Sequence, residues 1–145
     1  MIVLLQRVCE ASVSVEGKVV GQTGPGYLAL VCAESGDTDE KAVRAAEKTA
    51  KLRVFEDEEG RMNRSVLDAG GSVLAVSQFT LAADTRSGNR PGFSRAAPPE
   101  EGERLVGRYV ETLRAQGLPV ETGVFGAHMT VSLVNDGPAT FWIQI

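Results

Sequence analysis

Val73-Leu-Ala-Val76 is the stretch that most restricts how this 145-residue chain can fold. Four apolar residues in a row, without alternation, suit a strand covered on both faces. The run turns polar at Ser77-Gln78 and continues through Phe79 to Thr80. A core strand that ends this way delivers a hydroxyl, a carboxamide, an aromatic ring and a second hydroxyl to its own mouth. Taken alone, these groups fit two roles equally: satisfying a strand end, or lining a site. The residues next along the chain favour a site. Leu81-Ala-Ala83 is small and apolar, and residues 85–95 then bring Arg86, Arg90 and Arg95 with no acid between them. A rigid strand tip followed by a cationic loop punctuated by Gly and Pro suits an anionic ligand.

Length and composition narrow the class. The chain, with 43% hydrophobic and 23% charged residues, is long enough for one domain over residues 1–145 with its own core, without disulfides or metal. No apolar run approaches the length that spans a bilayer. The opening Met1-Ile-Val-Leu-Leu-Gln-Arg7 lacks a basic flank and a long apolar core, so it reads as a first strand and not as a signal peptide. Cys9 and Cys32 stand far apart with no CxxC, as expected of reduced, half-buried thiols in a cytoplasmic protein. A net charge of -4 argues against a general nucleic-acid coat, while leaving room for contact through the one acid-free arginine cluster. His128 is the only histidine. One histidine and no cysteine cluster do not make a zinc site of the usual kinds, and no G-x-S-x-G elbow accompanies a serine nucleophile.

The periodicities predict a definite order of elements. Ile2–Val8 and Ser12–Val15 are strands, the second alternating with one wet face. Glu16-Gly17 turns a hairpin into Lys18–Val20. Gly21–Gly26 is a Gly/Pro-rich connection to a strand over Tyr27–Cys32. Residues Ser35–Asp39 supply cap residues for a helix from Asp39 to about Arg53, with Val43, Ala46 and Ala50 on its apolar stripe. Val54-Phe55 is a short strand, Glu56–Gly60 an acidic turn, and Gly70-Gly71 leads into the central strand. Pro98-Pro99 and the acids behind them open a second helix. Its apolar face is Leu105, Val106, Tyr109, Val110 and Leu113, and Gly117 ends it. Strands over Val120–Phe125, Met129–Val134 and Thr140–Ile145 complete an α+β domain: a largely antiparallel, barrel-like sheet with two helices.

A second motif, Asn135-Asp-Gly-Pro-Ala-Thr140, lies between the last two predicted strands. Gly-Pro in a short connection most often marks a turn. Gly137 also lets a ligand approach its backbone, and Pro138 is the residue type at which a cis bond is affordable. With Ser77-Gln-Phe-Thr80 and Asn135-Asp-Gly-Pro138 together, the chain resembles the D-aminoacyl-tRNA deacylases. The resemblance runs along nearly its whole length. It takes in Leu5-Gln-Arg-Val8, Gly60-Arg-Met-Asn63, Thr80-Leu-Ala-Ala-Asp-Thr85 and the Arg90-Pro-Gly-Phe-Ser94 loop. Departures are small: Ala139 is smaller than expected, and Gly92 stands where a Ser is more usual. His128 matches no role in the family.

The resemblance implies hydrolysis of the ester joining a D-amino acid, or glycine, to the terminal adenosine of tRNA, with L-amino acids excluded. It implies a homodimer in which Gly137-Pro138, as a cis-prolyl element, enters the partner's pocket. No cofactor, membrane or DNA partner is expected. An aminoacyl ester is already activated, and the tRNA 2′-hydroxyl lies beside it, so positioning and oxyanion stabilisation carry the reaction. Backbone N–H groups around Gln78–Thr80 are the expected donors, with Ser77, Gln78 and Thr80 ordering the pocket. Phe79, Phe125 and Met129 are expected to wall the adenosine, although core packing accounts for Phe125 and Met129 as readily. Arg86, Arg90 and Arg95 face the tRNA backbone. Two rival classes remain: a replication-associated nucleic-acid-binding module, and a general esterase or amidohydrolase.

Metal independence is the direct consequence of the missing ligands. Exhaustive chelation should leave D-tyrosyl-tRNA hydrolysis unchanged; activity lost to chelation and restored by zinc would overturn this mechanism.

Overall fold

Residues 73–76 become the buried centre of strand β6 (Ser72–Ser77) in the computed structural model, which describes residues 1–145. The unbroken apolar run has a simple cause. Val73 and Ala75 face a core cluster shared with both helices, whereas Leu74 and Val76 face a second cluster with Val8, Val13 and Leu28. Alternate side chains therefore enter two different cores, and neither face needs polar residues. β6 runs parallel to β3 (Gly26–Cys32) on one edge and to β7 (Val120–Thr122) on the other. The sheet is accordingly mixed at its centre, not largely antiparallel there.

The antiparallel part is built on β1 (Ile2–Val15). The sequence predicts two strands here; a single long one forms because it serves different neighbours along its length. Ile2–Val8 pair with β3, Ala11–Val15 pair with β2 (Lys18–Thr23), and β8 (Thr130–Gln144) follows the opposite edge. Register shifts near Val8 and between Val13 and Ser14 sharpen its bend. That bend carries β2 round to β7. Gln22 donates its backbone N–H to Glu121 Oε1 at 3.1 Å across the seam, and the sheet becomes a nearly closed barrel.

Three boundaries differ from the sequence expectation, each for a packing reason. Gly21–Thr23 belongs to β2 and not to a connection. Gly21 is used for close approach: a Cβ there would lie 2.5 Å from the Thr122 carbonyl oxygen. β7 ends at Thr122, so Phe125 lies beyond the sheet. β8 is one strand running through Gly137-Pro138, not two strands joined by a turn.

The helices cover one face. Helix α1 (Asp39–Lys51) is capped by Thr38, whose hydroxyl accepts from Lys41 N–H at 3.3 Å, and it begins with acids and ends with lysines. Its buried face is Ala42, Ala45, Ala46, Thr49 and Ala50; Val43 sits half-buried at the edge of the stripe. The small side chains let α1 lie close to helix α2 (Pro99–Ala115), where Thr49 Oγ1 and the Tyr109 hydroxyl meet at 2.9 Å. On α2, Leu105, Tyr109, Val110 and Leu113 are buried as the periodicity predicts. A small hairpin, β4 (Phe55–Glu56) with β5 (Met62–Arg64), forms a separate sheet whose Phe55 packs edge to face on Tyr27 of β3. No helix is long and apolar enough to cross a membrane.

Gly21→Ala tests the seam. Forcing a methyl group against the Thr122 carbonyl should destabilise the fold by about 1–3 kcal/mol, read as a lower urea midpoint at unchanged slope. An unaltered midpoint would mean that β2 and β7 are not in contact in solution.

Candidate functional site

β3 and β6 are parallel, so their C-terminal ends open on one rim, the place where sheets of this kind receive ligands. The Gln78 N–H donates to the Val31 carbonyl at 2.8 Å, holding the two ends together. The chain then enters a 3₁₀ turn, Phe79–Ala82. As the first residues of that turn, Phe79 and Thr80 have no carbonyl inside it to which their N–H groups can donate. The Gln78 N–H, expected among the free donors, is committed to β3.

Between this rim and the start of α2 lies a mainly apolar cavity of about 410 Å³, lined by Cys32, Ser77, Gln78, Phe79, Val106 and Phe125 among others. Its size suits a small organic ligand. No carboxylate, imidazole or ammonium lines it. Cys32 is its only titratable group, and burial pushes the thiol up to about 11. The thiol points to backbone carbonyls, those of Ala33 at 3.4 Å and Phe79 at 3.6 Å, and stays protonated at neutral pH.

The cavity thus brings together Ser77, Gln78, Phe79 and Phe125. Gly102 on α2 makes room for the Phe125 ring, which a Cβ there would meet at 3.5 Å. The other expected residues are placed differently. Thr80 is exposed, its hydroxyl accepting from Gln78 Nε2, so that it orients the carboxamide from outside the cavity. Met129 does not line the cavity. It packs with Leu30 and Val131 against the barrel-interior cluster, where its sulfur fills the space a Cβ at Gly123 would need. His128 is exposed and does not line the cavity.

Gly137 and Pro138 are exposed and lie away from the cavity of their own chain. The β1–β8 register passes from Asn135 to Thr140 beside Gln6–Val8, whereas the cavity opens beside Cys32, the partner of Ile2. Arg7 and Ile2 are five residues apart on β1, roughly 16 Å at about 3.3 Å per residue. Residues 136–139 bulge from the ladder, and the Gly137-Pro138 peptide bond is cis.

Arg7 holds this bulge in place. It is 4% exposed, donates to the carbonyls of Val54 at 2.6 Å and Asp136 at 3.3 Å, and pairs with the Asp136 carboxylate at 3.2 Å. Asn135 completes the clamp, its Nδ2 donating to the carbonyls of Arg7 at 2.9 Å and Ala139 at 3.1 Å. The motifs alone do not reveal Arg7. Its signal is a single cation following the apolar run Ile2–Leu5, where a buried charge needs partners.

Comparison with known proteins shows the family. A family described as "D-Tyr-tRNA(Tyr) deacylase" matches residues 4–144. The chain belongs to this deacylase family. A D-aminoacyl-tRNA deacylase of Ruegeria pomeroyi is 66% identical over 142 residues, covering 98% of both chains. One of Thermomicrobium roseum is 62% identical over 144 residues, covering 99% of this chain and 94% of the relative. Among solved structures, one titled "c-Myc DNA Unwinding Element Binding Protein" superposes with a TM-score of 0.94 at 38% identity, covering 100% of this chain and 99% of the other.

In this deacylase-family chain the arginine loop is less cationic than its sequence implies. Arg86 is held by Asp84 just outside the loop, with Nη2 to Oδ2 at 2.6 Å, and its hydrogen bond keeps the Asp84 carboxyl well below the usual range. Arg95 pairs with Glu34 at 3.0 Å. Arg90 makes no ion pair or hydrogen bond, so it is the free cation of the three.

Gly137→Ala carries a folding penalty that the motif alone does not suggest. Gly137 has φ +119°, and a Cβ would lie 2.7 Å from Arg7 Nη2. The variant should lose about 1–3 kcal/mol of stability and melt several degrees lower. A melting temperature equal to that of the parent would show that Arg7 does not pack against this glycine.

Proposed function

We propose that this chain hydrolyses the ester of D-aminoacyl-tRNA, releasing the D-amino acid and free tRNA, in the translation quality control of the cytoplasm. The observation that carries the reading is the cavity without a general base. A site that must activate a poor acyl donor needs a base, a metal or an activated nucleophile. Here the strand tip offers a hydroxyl, a carboxamide and the outward N–H groups of a 3₁₀ turn. Such a set suffices for an ester that is already activated and brings its own 2′-hydroxyl to orient water. Phe79 N–H and Thr80 N–H receive the oxyanion, Ser77 and Gln78 order the reacting end, and Phe125 stacks on the terminal adenine. No three His, Cys, Asp or Glu side chains converge on a donor set.

The working unit is a homodimer. Within one chain Gly137-Pro138 cannot reach the cavity, so a role for it there requires a second copy. β8 also leaves one edge unpaired and exposes Leu133, Val134 and Trp142, an apolar surface suited to burial. Backbone groups of the partner's bulge then hold the substrate's α-amino group. One direction at the α-carbon stays open for a D side chain, and the other meets main chain. Hydrogen passes either way, so glycyl-tRNA is accepted, while L-aminoacyl esters are rejected by clash. The DNA-binding title of the structural neighbour describes that protein. A net charge of -4 and one unpaired arginine in the loop are poorly suited to binding duplex DNA.

Thr80→Ala separates backbone from nucleophilic catalysis. Because the Thr80 N–H survives the substitution, D-tyrosyl-tRNA should still be hydrolysed within about tenfold of the parent rate in single turnover. Accumulation of an acyl-enzyme on Thr80 in the parent protein would replace this mechanism with covalent catalysis.

A further inference from the structure

Two aromatic rings stand in water at the rim of the cavity. Phe79 is 58% exposed and Phe93 is 38% exposed, and their rings meet edge to face with centroids 5.0 Å apart and planes at 67°. Both line the mouth, and Phe93 belongs to the arginine loop. We propose that this pair is a stacking platform for the nucleobase immediately 5′ of the terminal adenosine, with Arg90 beside the intervening phosphate.

The pair is built to stay in place. Asp84 and Gly92 exchange backbone hydrogen bonds at 2.7 and 2.8 Å just before Phe93. Just after it, Ser35 N–H donates to the Arg95 carbonyl at 2.8 Å and Ala97 N–H to the Ala33 carbonyl at 2.9 Å. The loop around Phe93 is therefore tied at both ends, and each ring buttresses the other. Fixed aromatic faces beside a cation are the usual way to hold single-stranded nucleic acid without reading its sequence. Phe79 divides its roles along one residue: its N–H belongs to the turn, and its ring to the rim.

Charge decides the direction in which a polynucleotide leaves the cavity. Past Phe125 a groove of about 290 Å³ continues along α2, and its walls carry Glu103 and Glu111. Its one cation, Arg114, is turned to the Val120 carbonyl through Nε at 3.2 Å and Nη2 at 2.8 Å. Glu103 has no cationic partner and repels phosphate, while Glu111 stands 3.8 Å from Arg108. Arg90, three residues before Phe93 in the same loop, has no acidic partner. The polyanion exits over the aromatic pair.

This inference rests on the deacylase reading, and one comparison separates the two. Single-turnover kcat/KM is measured for the D-tyrosyl ester of adenosine and for that of the trinucleotide CpCpA. The parent protein should prefer the trinucleotide ester by roughly ten- to hundredfold, the contribution of one stacked base. Phe93→Ala should bring that ratio close to one, and Phe93→Tyr should keep it. Equal rates on both esters in the parent would sink the platform and leave the deacylase reading intact. Loss of rate on both esters in equal proportion in Phe93→Ala would make Phe93 a cavity wall and overturn the platform. A shift of Phe93→Ala to monomers in sedimentation would make the pair a subunit contact, with the same consequence. No hydrolysis of either ester by the parent, with D-tyrosyl-tRNA also inert, would remove the deacylase reading and the platform together.

Discussion

The parallel pairing of β6 with β3 is the constraint on which the site depends. Parallel ladders put the same ends of both strands on one rim, and β7 extends that rim on the other side. Because β6 feeds two separate cores, a one-residue slip would exchange Leu74 and Val76 for Val73 and Ala75 in both clusters at once. The register is therefore fixed from two sides. Ser77 and the 3₁₀ turn inherit that rigidity.

A second anchor works independently midway along β1. Arg7 is buried, and a buried guanidinium must be satisfied. The chain meets this need with the carbonyls of Val54 and Asp136 and the carboxylate of Asp136, groups drawn from two distant segments. The same bonds fix the bulge containing Gly137 and Pro138. The cost of burying a charge is thus offset by ordering a loop that would otherwise be an exposed interruption of β8.

What can be read from the residues divides along physical lines. The apolar run of β6, the face of α2 and the cap of α1 depend on local periodicity and are legible. The closeness of β2 to β7 is not, because Gly21 looks like a loop glycine until the Thr122 carbonyl lies opposite it. For α1, small residues are easily undervalued, and alanines and Thr49 occupy the face expected partly for Val43. The arginine cluster is acid-free along the chain but not in space, since Asp84 and Glu34 come from outside it. Met129 stands near the motif residues in sequence and goes to the barrel interior instead. Ser77, Gln78 and Phe79 fall together at the cavity because a strand end brings neighbours in sequence to one place. Arg7 cannot, since its partners lie 47 and 129 positions away.

The character of the cavity lining has a consequence for how the solvent speaks to the reaction. Its one ionisable side chain, Cys32, is held protonated by burial far above neutrality. Between mild acid and mild base no group in the lining changes its charge. Acidity therefore does not act by charging the lining itself; it acts on the α-ammonium of the aminoacyl group and on the supply of hydroxide. An electrostatic environment of this kind is a constant of the fold. A swing in cellular pH would alter the lifetime of the ester and the charge that the cavity receives, while the cavity itself stayed as it was.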